Sequence, residues 1–177
     1  MKNELDKQLC AKYPLIFKDR NASMQETLMC FGFECGDGWY NILDALCSNI
    51  QWHINHQLKA AKTNAKYNKM RELAKSGDWT LFEEHYCEYN NQYVDTIRAE
   101  IVDSEPRVVE EVEQVVAVQV KEKFGTLRFY YDGGDDVISG MVAVAESMSG
   151  VTCEVCGSPG TPGGVGWIRT LCQSHSK

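Results

Sequence analysis

The sequence VTCEVCG at residues 151–157 is followed, after a glycine-rich segment, by LCQSH at residues 171–175. The ligand spacing is Cys153-x2-Cys156-x15-Cys172-x2-His175. A two-residue spacer lets one tight turn present two ligands to the same ion, and zinc prefers four tetrahedral sulfur or nitrogen ligands. Because protein side chains fill all four positions, the motif predicts one structural zinc ion per chain rather than a catalytic zinc with an open position.

The segment between the two ligand pairs is rich in glycine and proline and has few apolar side chains of its own. Such a loop cannot form a core of its own and needs a cross-link such as a bound metal ion. Zinc contributes on the order of 10–16 kcal/mol of apparent folding free energy to small finger peptides. We therefore expect residues 151–177 to form a zinc-ribbon-like Cys3His element. We expect it to pack on an α+β domain formed by residues 1–150.

Upstream of the metal motif, the hydrophobic pattern has a period of two. Apolar residues alternate with polar ones on both sides of a turn at residues 123–126, which predicts a β-hairpin over about 114–132. A helical pattern follows over about 135–149, with Asp135 or Asp136 as its N-cap.

The first part of the chain has helical periodicity. Apolar residues recur at three- and four-residue steps from residue 39 to about residue 75, and again from about 79 to 103. Ser76-Gly77-Asp78 separates the two stretches, so they predict a helical hairpin over about 39–105. The predicted fold class is therefore α+β. It consists of N-terminal helices with a helical hairpin, a β-hairpin, a further helix and a metal-bound C-terminal tail.

Composition narrows the classes of function. The chain has 177 residues, of which 44% are hydrophobic and 24% charged, with a formal net charge of −7. No apolar run approaches the roughly 18 residues that span a bilayer, and the first residues lack a signal-peptide core, so a cytoplasmic location without a membrane partner is expected. The negative charge disfavours nucleic acid as a partner. One segment, which we call the lysine run, is basic and could still contact phosphates. It comprises Lys59, Lys62, Lys66, Lys69, Arg71 and Lys75.

Two other groups of residues have the chemistry of metal ligands. His53 and His56 are three residues apart on the predicted first helix, and residues 132–136 carry three aspartates. Neither group has the spacing of a known motif, and scattered, partly buried residues are the favoured interpretation. A second metal at either place is left open, because a nuclease or another metal-dependent hydrolase would need one.

Arginine beside an aromatic residue can bind a phosphate and stack on a base. Arg128 and Tyr130 point away from the core if their neighbours on the predicted strand point inward, and Trp167 and Arg169 flank the second half of the zinc motif. These four residues are the candidate ligand-binding site. Ordinary surface packing is the alternative.

Several stretches together resemble a widespread group of small bacteriophage and prophage proteins, most of them without an assigned activity. They are EKFGTLRFYY at 122–131, CEVCGSPG at 153–160, GWIRTLC at 166–172 and FECGDGW at 33–39. Small accessory phage proteins without catalytic motifs often act by binding a host component. The resemblance therefore implies a role in the host cytoplasm against antiviral defence.

The sequence favours a non-enzymatic, zinc-containing phage protein that binds a host factor. The factor would be a defence protein that it blocks or a nucleotide signal that it sequesters. The first alternative is that the protein binds nucleic acid through the lysine run. A less favoured alternative is that it is a metal-dependent hydrolase or nuclease. Assembly into a homo-oligomer is left open.

Overall fold

The computed structural model describes residues 1–87 and 92–176. Over these ranges it has five α-helices: α1 (Asn3–Lys12), α2 (Tyr40–Lys75), α3 (Thr80–Tyr86), α4 (Gln92–Glu100) and α5 (Asp136–Ser149). The same ranges hold five strands: β1 (Phe33–Glu34), β2 (Val116–Lys123), β3 (Thr126–Asp132), β4 (Thr161–Gly163) and β5 (Arg169–Leu171). The predicted α+β class is confirmed. Judged by length and hydropathy together, none of the described helices could span a bilayer.

A three-stranded sheet has the order β1-β2-β3. Strands β2 and β3 are antiparallel, and the turn between them consists of Phe124 and Gly125, with φ of 54° and 79°. Positive φ at both central residues is typical of the tight turns that match the twist of a hairpin. Strand β1 joins β2 in parallel, with Phe33 opposite Val120.

Helix α5 lies beside strand β3 and hydrogen-bonds to its backbone. The Leu127 N–H donates to Ser149 Oγ at 2.7 Å, and the Phe129 N–H donates to Glu146 Oε1 at 3.0 Å. Side chains of the helix therefore satisfy backbone donors that an edge strand would otherwise expose. Asp135 is the N-cap of α5, because its Oδ1 accepts from the Ile138 N–H at 2.9 Å.

The chain divides into two compact units, a discontinuous unit of residues 1–55 with 112–177 and a contiguous unit of residues 56–111. The discontinuous unit holds the sheet, α1, α5 and the first part of α2. Its largest fully buried side chains include Trp39, Leu9, Ile16, Leu43, Ile50, Val120, Leu127 and Ile138.

The contiguous unit holds the second part of α2 together with α3 and α4. Its buried cluster comprises Tyr67, Met70, Ala74, Phe82 and Ile101. Both short helices lie inside the stretch of 79–103 predicted as helical, and residues 88–91 of that stretch lie outside the described residues.

Ion pairs in the described part of the contiguous unit involve few residues of the lysine run. Its ion pairs there join Arg71 to Glu72, Lys75 to Glu72 and Arg98 to Glu83. Side chains of the lysine run are exposed, whereas Arg71 is buried and donates to the Ser104 carbonyl.

Candidate metal centre

The first ligand pair lies in a tight turn after α5. The Gly157 N–H donates to the Cys153 carbonyl at 2.8 Å, and the Cys153 N–H donates to the Ser158 carbonyl at 2.7 Å. Gly157 has a φ of 77°, a backbone conformation that favours glycine. The turn places the side chains of Cys153 and Cys156 on one side, as the two-residue spacer predicts.

The second ligand pair follows strand β5. This strand pairs with β4 in antiparallel fashion, with Thr161 opposite Leu171, and Cys172 comes directly after it. The His175 N–H donates to the Cys172 carbonyl at 3.0 Å, which turns the chain so that the imidazole approaches the Cys172 thiol.

The four ligand atoms converge. All lie within 4.8 Å of one another, and Nδ1 of His175 lies 3.5 Å from the sulfur of Cys153 and 3.2 Å from that of Cys172. The Cys156 and Cys172 sulfurs are 3.7 Å apart. A tetrahedral site with metal–sulfur bonds of about 2.3 Å has sulfur–sulfur edges of about 3.8 Å. The residues of the predicted motif thus form a Cys3His cluster of a size that suits one metal ion.

The electrostatic surroundings of Cys153 favour a thiolate. Burial works against ionisation, but backbone N–H groups of Cys172, Cys156 and Val155 point at the sulfur, and together they lower the pKa of the Cys153 thiol to about 6. A thiolate is the form of cysteine that binds metals. The surroundings of Cys153 therefore favour its metal-binding, ionised form even without a bound metal ion.

The other three ligands have mixed surroundings. Hydrogen bonds from the side chain and the backbone of Ser158 lower the pKa of Cys156. Burial raises the pKa of Cys172, and the hydrogen bond with Cys153 raises that of His175. Metal binding requires Cys172 and His175 to lose their protons, so we expect metal uptake to release protons.

Cysteines outside the cluster differ from the metal ligands. Burial is the largest cause that raises the pKa of Cys10 and of Cys35 to about 12, and it raises the pKa of Cys47 as well. Such thiols stay protonated at neutral pH and pack as small apolar side chains. Cys10, Cys35 and Cys47 thus lie outside the group of side chains whose ligand atoms converge.

An N-terminal segment is seated on the first ligand pair. The Gly38 N–H donates to the Glu154 carbonyl at 2.8 Å, and the Gly36 N–H donates to the Glu154 carboxylate at 3.0 Å. The indole N–H of buried Trp39 donates to the Thr152 carbonyl at 2.8 Å. The cysteine turn is therefore part of the core of the discontinuous unit.

Glycine is required at both positions of this contact. A Cβ atom on Gly38 would lie 2.2 Å from the Cys153 carbonyl oxygen, and one on Gly36 would lie 2.2 Å from the Glu154 carbonyl oxygen. The local sequence pattern of this segment does not predict this contact, so sequence reasoning misses its role. The available signal was that FECGDGW and the cysteine motif occur together in the resemblance.

The second ligand pair is anchored through strand β5. Thr170 is buried, and its hydroxyl donates to the Gly125 carbonyl at 2.6 Å, which ties β5 to the turn of the β-hairpin. The guanidinium of Arg169 donates to Glu154 Oε2 at 3.0 Å. The Glu154 carboxylate thereby joins Arg169 of β5 to Gly36, whose N–H donates to its Oε1.

The four predicted ligand-binding residues lie in two places. Trp167 and Arg169 line a cavity of about 520 Å³, together with the carboxylates of Glu34, Glu122 and Glu154. Arg128 and Tyr130 lie on β3 and are not among the described residues that line this cavity.

The surroundings of these side chains differ as well. Trp167 is 71% exposed, whereas Arg128 donates to the Leu127 carbonyl at 2.7 Å and pairs with Glu146 at 3.5 Å. Tyr130 lies with its ring 5.4 Å from the Lys121 ammonium. Ligand binding by the four residues stays a prediction.

Two of the other candidate metal ligands, His53 and Asp135, contact each other. His53 Nε2 lies 2.7 Å from Asp135 Oδ2, so the buried imidazole contacts the N-cap of α5. Within the described part of the chain, the only group of three or more such side chains close enough to hold an ion is the Cys3His cluster. This arrangement favours the interpretation of His53 and Asp135 as a packing contact.

Comparison with family models, with curated proteins and with solved structures finds no match to this chain.

Proposed function

We propose that the Cys3His cluster holds one structural zinc ion per chain, and that the protein is a non-enzymatic phage accessory protein that binds a host factor. The convergence of four ligand atoms within 4.8 Å carries the first part. Three sulfurs and one imidazole nitrogen suit zinc, whereas magnesium and calcium take oxygen ligands. Four protein ligands leave no position for a substrate, which makes the role structural.

The contacts around the cluster support this role. Cys153 is completely buried, and its turn is covered by Gly38 and Trp39 from the N-terminal segment. Zinc would fix Cys153, Cys156, Cys172 and His175 and thereby hold in place the cysteine turn on which the N-terminal segment is seated.

The binding role is supported by the resemblance to phage proteins and by exposed side chains near the cluster. Trp167 and Phe124 are 71% and 70% exposed, and aromatic residues of this kind are enriched at the centres of protein interfaces. Three glutamates line the cavity at Trp167 and Arg169 against two cations, Arg169 and the N-terminal ammonium of Met1, and Glu154 already pairs with the arginine. This charge favours a host defence protein over an anionic nucleotide signal as the partner.

Native mass spectrometry of protein purified without chelator tests both parts. We expect one zinc per chain and, after incubation with lysate of phage-infected host cells, the gain of a host polypeptide. Trp167→Ala should weaken that capture while leaving the zinc content unchanged, and Val165→Ala serves as the control at another exposed position. Two metals per chain would contradict the structural role. Gain of a nucleotide-sized mass, lost in Arg128→Ala and Arg169→Ala, would establish the sequestering role instead.

Nucleic-acid binding is a second candidate because of one observation. Lys59, Lys62, Lys66 and Lys69 follow one another at three- and four-residue steps on α2, and all four are exposed. The net charge of −7 opposes this function. Binding of duplex DNA measured against salt concentration is the test, because each phosphate contact adds about −0.9 to the slope of log K against log salt.

A further inference from the structure

The three cysteine sulfurs of the Cys3His cluster differ in their exposure. Cys153 is completely buried, whereas Cys156 is exposed and Cys172 is partly exposed. The sulfurs of Cys156 and Cys172 lie 3.7 Å apart. Oxidation of a cysteine depends on access to its sulfur, so a dissolved oxidant reaches these two sulfurs before it reaches that of Cys153.

Backbone hydrogen bonds hold the two accessible cysteines close together. The Glu154 N–H donates to the Thr170 carbonyl at 3.0 Å, which joins the turn of Cys156 to strand β5. That strand ends directly before Cys172, and it pairs with β4, which lies between the two cysteines in the sequence. The two sulfurs are therefore neighbours through the backbone as well as through their place in the metal cluster.

The segments that carry these sulfurs have room to move. Residues 155–159 around Cys156 and residues 173–176 after Cys172 are exposed. A disulfide bond is about 2.0 Å long, so the two sulfurs have to approach each other by roughly 1.7 Å. Exposed turns can make this movement while the buried side chain of Cys153 stays in place.

We propose that a peroxide oxidises Cys156 and Cys172 to a disulfide, which replaces the metal ion as the cross-link of the Cys3His element. This inference rests on the proposed metal site. Oxidation leaves Cys153 and His175 as the remaining ligands of the motif, too few for a structural zinc site, so the metal ion is released. Exposed disulfides are readily reduced, and the change is therefore reversible.

The reaction consumes two thiols and one molecule of hydrogen peroxide. The Cys156 sulfur attacks a peroxide oxygen, the O–O bond breaks, and one water leaves as Cys156 becomes a sulfenic acid. The Cys172 sulfur then attacks the Cys156 sulfur, so that the S–S bond forms, the S–O bond breaks and a second water leaves. The two thiols lose two electrons and two protons, and these reduce the peroxide to two water molecules.

Treatment of the zinc-loaded chain with hydrogen peroxide tests the proposal, with a chromogenic chelator to follow released zinc and an untreated sample as background. Protease cleavage after Glu154 and after Arg169 places each of the three motif cysteines on a separate peptide, so mass spectrometry identifies the disulfide directly. We expect one zinc ion to be released for each Cys156–Cys172 disulfide formed. Dithiothreitol with added zinc should then restore the zinc content.

Two variants sharpen the test. Cys172→Ser removes one of the two sulfurs and should reduce disulfide formation within the motif at least tenfold. His175→Ala removes a metal ligand but keeps all three sulfurs, so it should form the same disulfide as the wild-type chain. A chain without zinc before oxidation would contradict the proposed metal, whereas the disulfide of His175→Ala tests the present inference separately.

The packing of Trp39 reports whether the disulfide takes over the role of the metal ion. The indole donates to the Thr152 carbonyl, next to the first ligand pair, so its near-ultraviolet circular dichroism should persist in the oxidised chain. Loss of that signal on oxidation would overturn the proposed replacement. A disulfide that includes Cys153, or zinc release without any disulfide in the motif, would overturn the proposal as well.

Discussion

The two compact units are built in different ways. In the discontinuous unit, Gly36 and Trp39 bond to residues 118 and 113 positions further along the chain, and four side chains converge on a metal-binding cluster. In the contiguous unit, helices from a single run of sequence surround a cluster of five buried residues. One unit joins segments that are distant in sequence at a possible metal site, and the other relies on nearby apolar contacts.

The difference shows what each unit requires. A small apolar core needs only helical periodicity and neighbouring segments, which any amphipathic helix pair provides. Closure of a long loop costs chain entropy before any contact is gained. The metal ligands all lie within residues 153–175, so a metal ion would act by holding the turns to which the distant Gly36 and Trp39 bond. We therefore expect metal, glycine and capping variants to affect the discontinuous unit, and core truncations to affect the contiguous unit, independently of each other.

The largest expected effect is that of metal removal. Chelation, or Cys153→Ser, should unfold the packing around Trp39, because a structural zinc site contributes on the order of 10–16 kcal/mol in small metal-folded domains. Near-ultraviolet circular dichroism should lose the part of its aromatic signal that arises from Trp39 and its neighbours, while the aromatic and helical signals of the contiguous unit persist. Cys87→Ser, at an exposed cysteine outside the cluster, is the control and should leave both signals unchanged. Complete loss of helical signal would show that the units do not fold independently.

Truncation of the contiguous core should be the next largest effect. Phe82 is 2% exposed within the buried cluster, so Phe82→Ala should cost about 3–5 kcal/mol of the unfolding free energy of this unit. Chemical denaturation followed by far-ultraviolet circular dichroism measures the loss, and zinc content should stay at its wild-type value. The matched control is Phe31→Ala, at a phenylalanine that is 55% exposed. If Phe82→Ala lowers zinc content, the proposed independence is wrong.

A methyl group added at Gly38 should have a smaller effect on the metal site than removal of the metal or of a ligand. Gly38→Ala places a Cβ atom 2.2 Å from the Cys153 carbonyl oxygen and 2.5 Å from the Gly157 nitrogen, so the cysteine turn must move. Such overpacking costs about 1–3 kcal/mol, and we expect weaker zinc affinity in competition with a chromogenic chelator. At Gly163 an added Cβ meets nothing within 4 Å, so Gly163→Ala should bind zinc as wild type does. Equal affinities in the two variants would refute the close contact.

The smallest effect concerns the N-cap of α5. Asp135→Ala should cost about 1 kcal/mol, because the first turn of the helix loses its acceptor. Thermal unfolding of the zinc-loaded protein measures this loss. Asp135→Asn is the matched variant, since it keeps an acceptor oxygen and removes only the charge.

The pH dependence of this effect has a defined sign. Partial burial of Asp135 works against ionisation, but hydrogen bonds from His53 and from backbone N–H groups outweigh it and lower its pKa below the ordinary value of 3.8. A carboxyl with a depressed pKa stabilises the fold above its unfolded pKa, and that contribution is lost as pH falls through the folded pKa. The stability gap between wild type and Asp135→Asn should therefore shrink below about pH 4. A gap that grows on acidification would contradict the assignment.

Local patterns in the sequence were enough to predict much of this structure. The spacing of Cys153, Cys156, Cys172 and His175 depends on two short turns. The cluster could therefore be predicted from the sequence alone. The long helix predicted from residue 39 to about 75 is α2, because its apolar stripe extends over many turns. The turn at residues 123–126 likewise joins two strands whose alternation is strong.

What the sequence could not predict depends on distant contacts. Strand β1 has two residues, too few for any periodicity, and it exists because it pairs with β2. The need for glycine at 36 and 38 arises from backbone that lies more than 110 residues later in the chain. The opposite environments of Cys35 and Cys153 depend on burial and on directed N–H groups, which spacing alone does not encode.

The discontinuous arrangement also sets the order of events during synthesis. Residues 56–111 contain all the partners of their own core, so they can fold as soon as they leave the ribosome. The segment at Gly36–Trp39 has to wait for residues 152–175, which at about 5–20 residues per second emerge roughly 3–13 s after residue 111. During that interval Trp39 lacks its final neighbours and the metal ligands are incomplete. The nascent chain is therefore exposed to chaperones and proteases mainly through its first 55 residues until residues 152–175 have emerged.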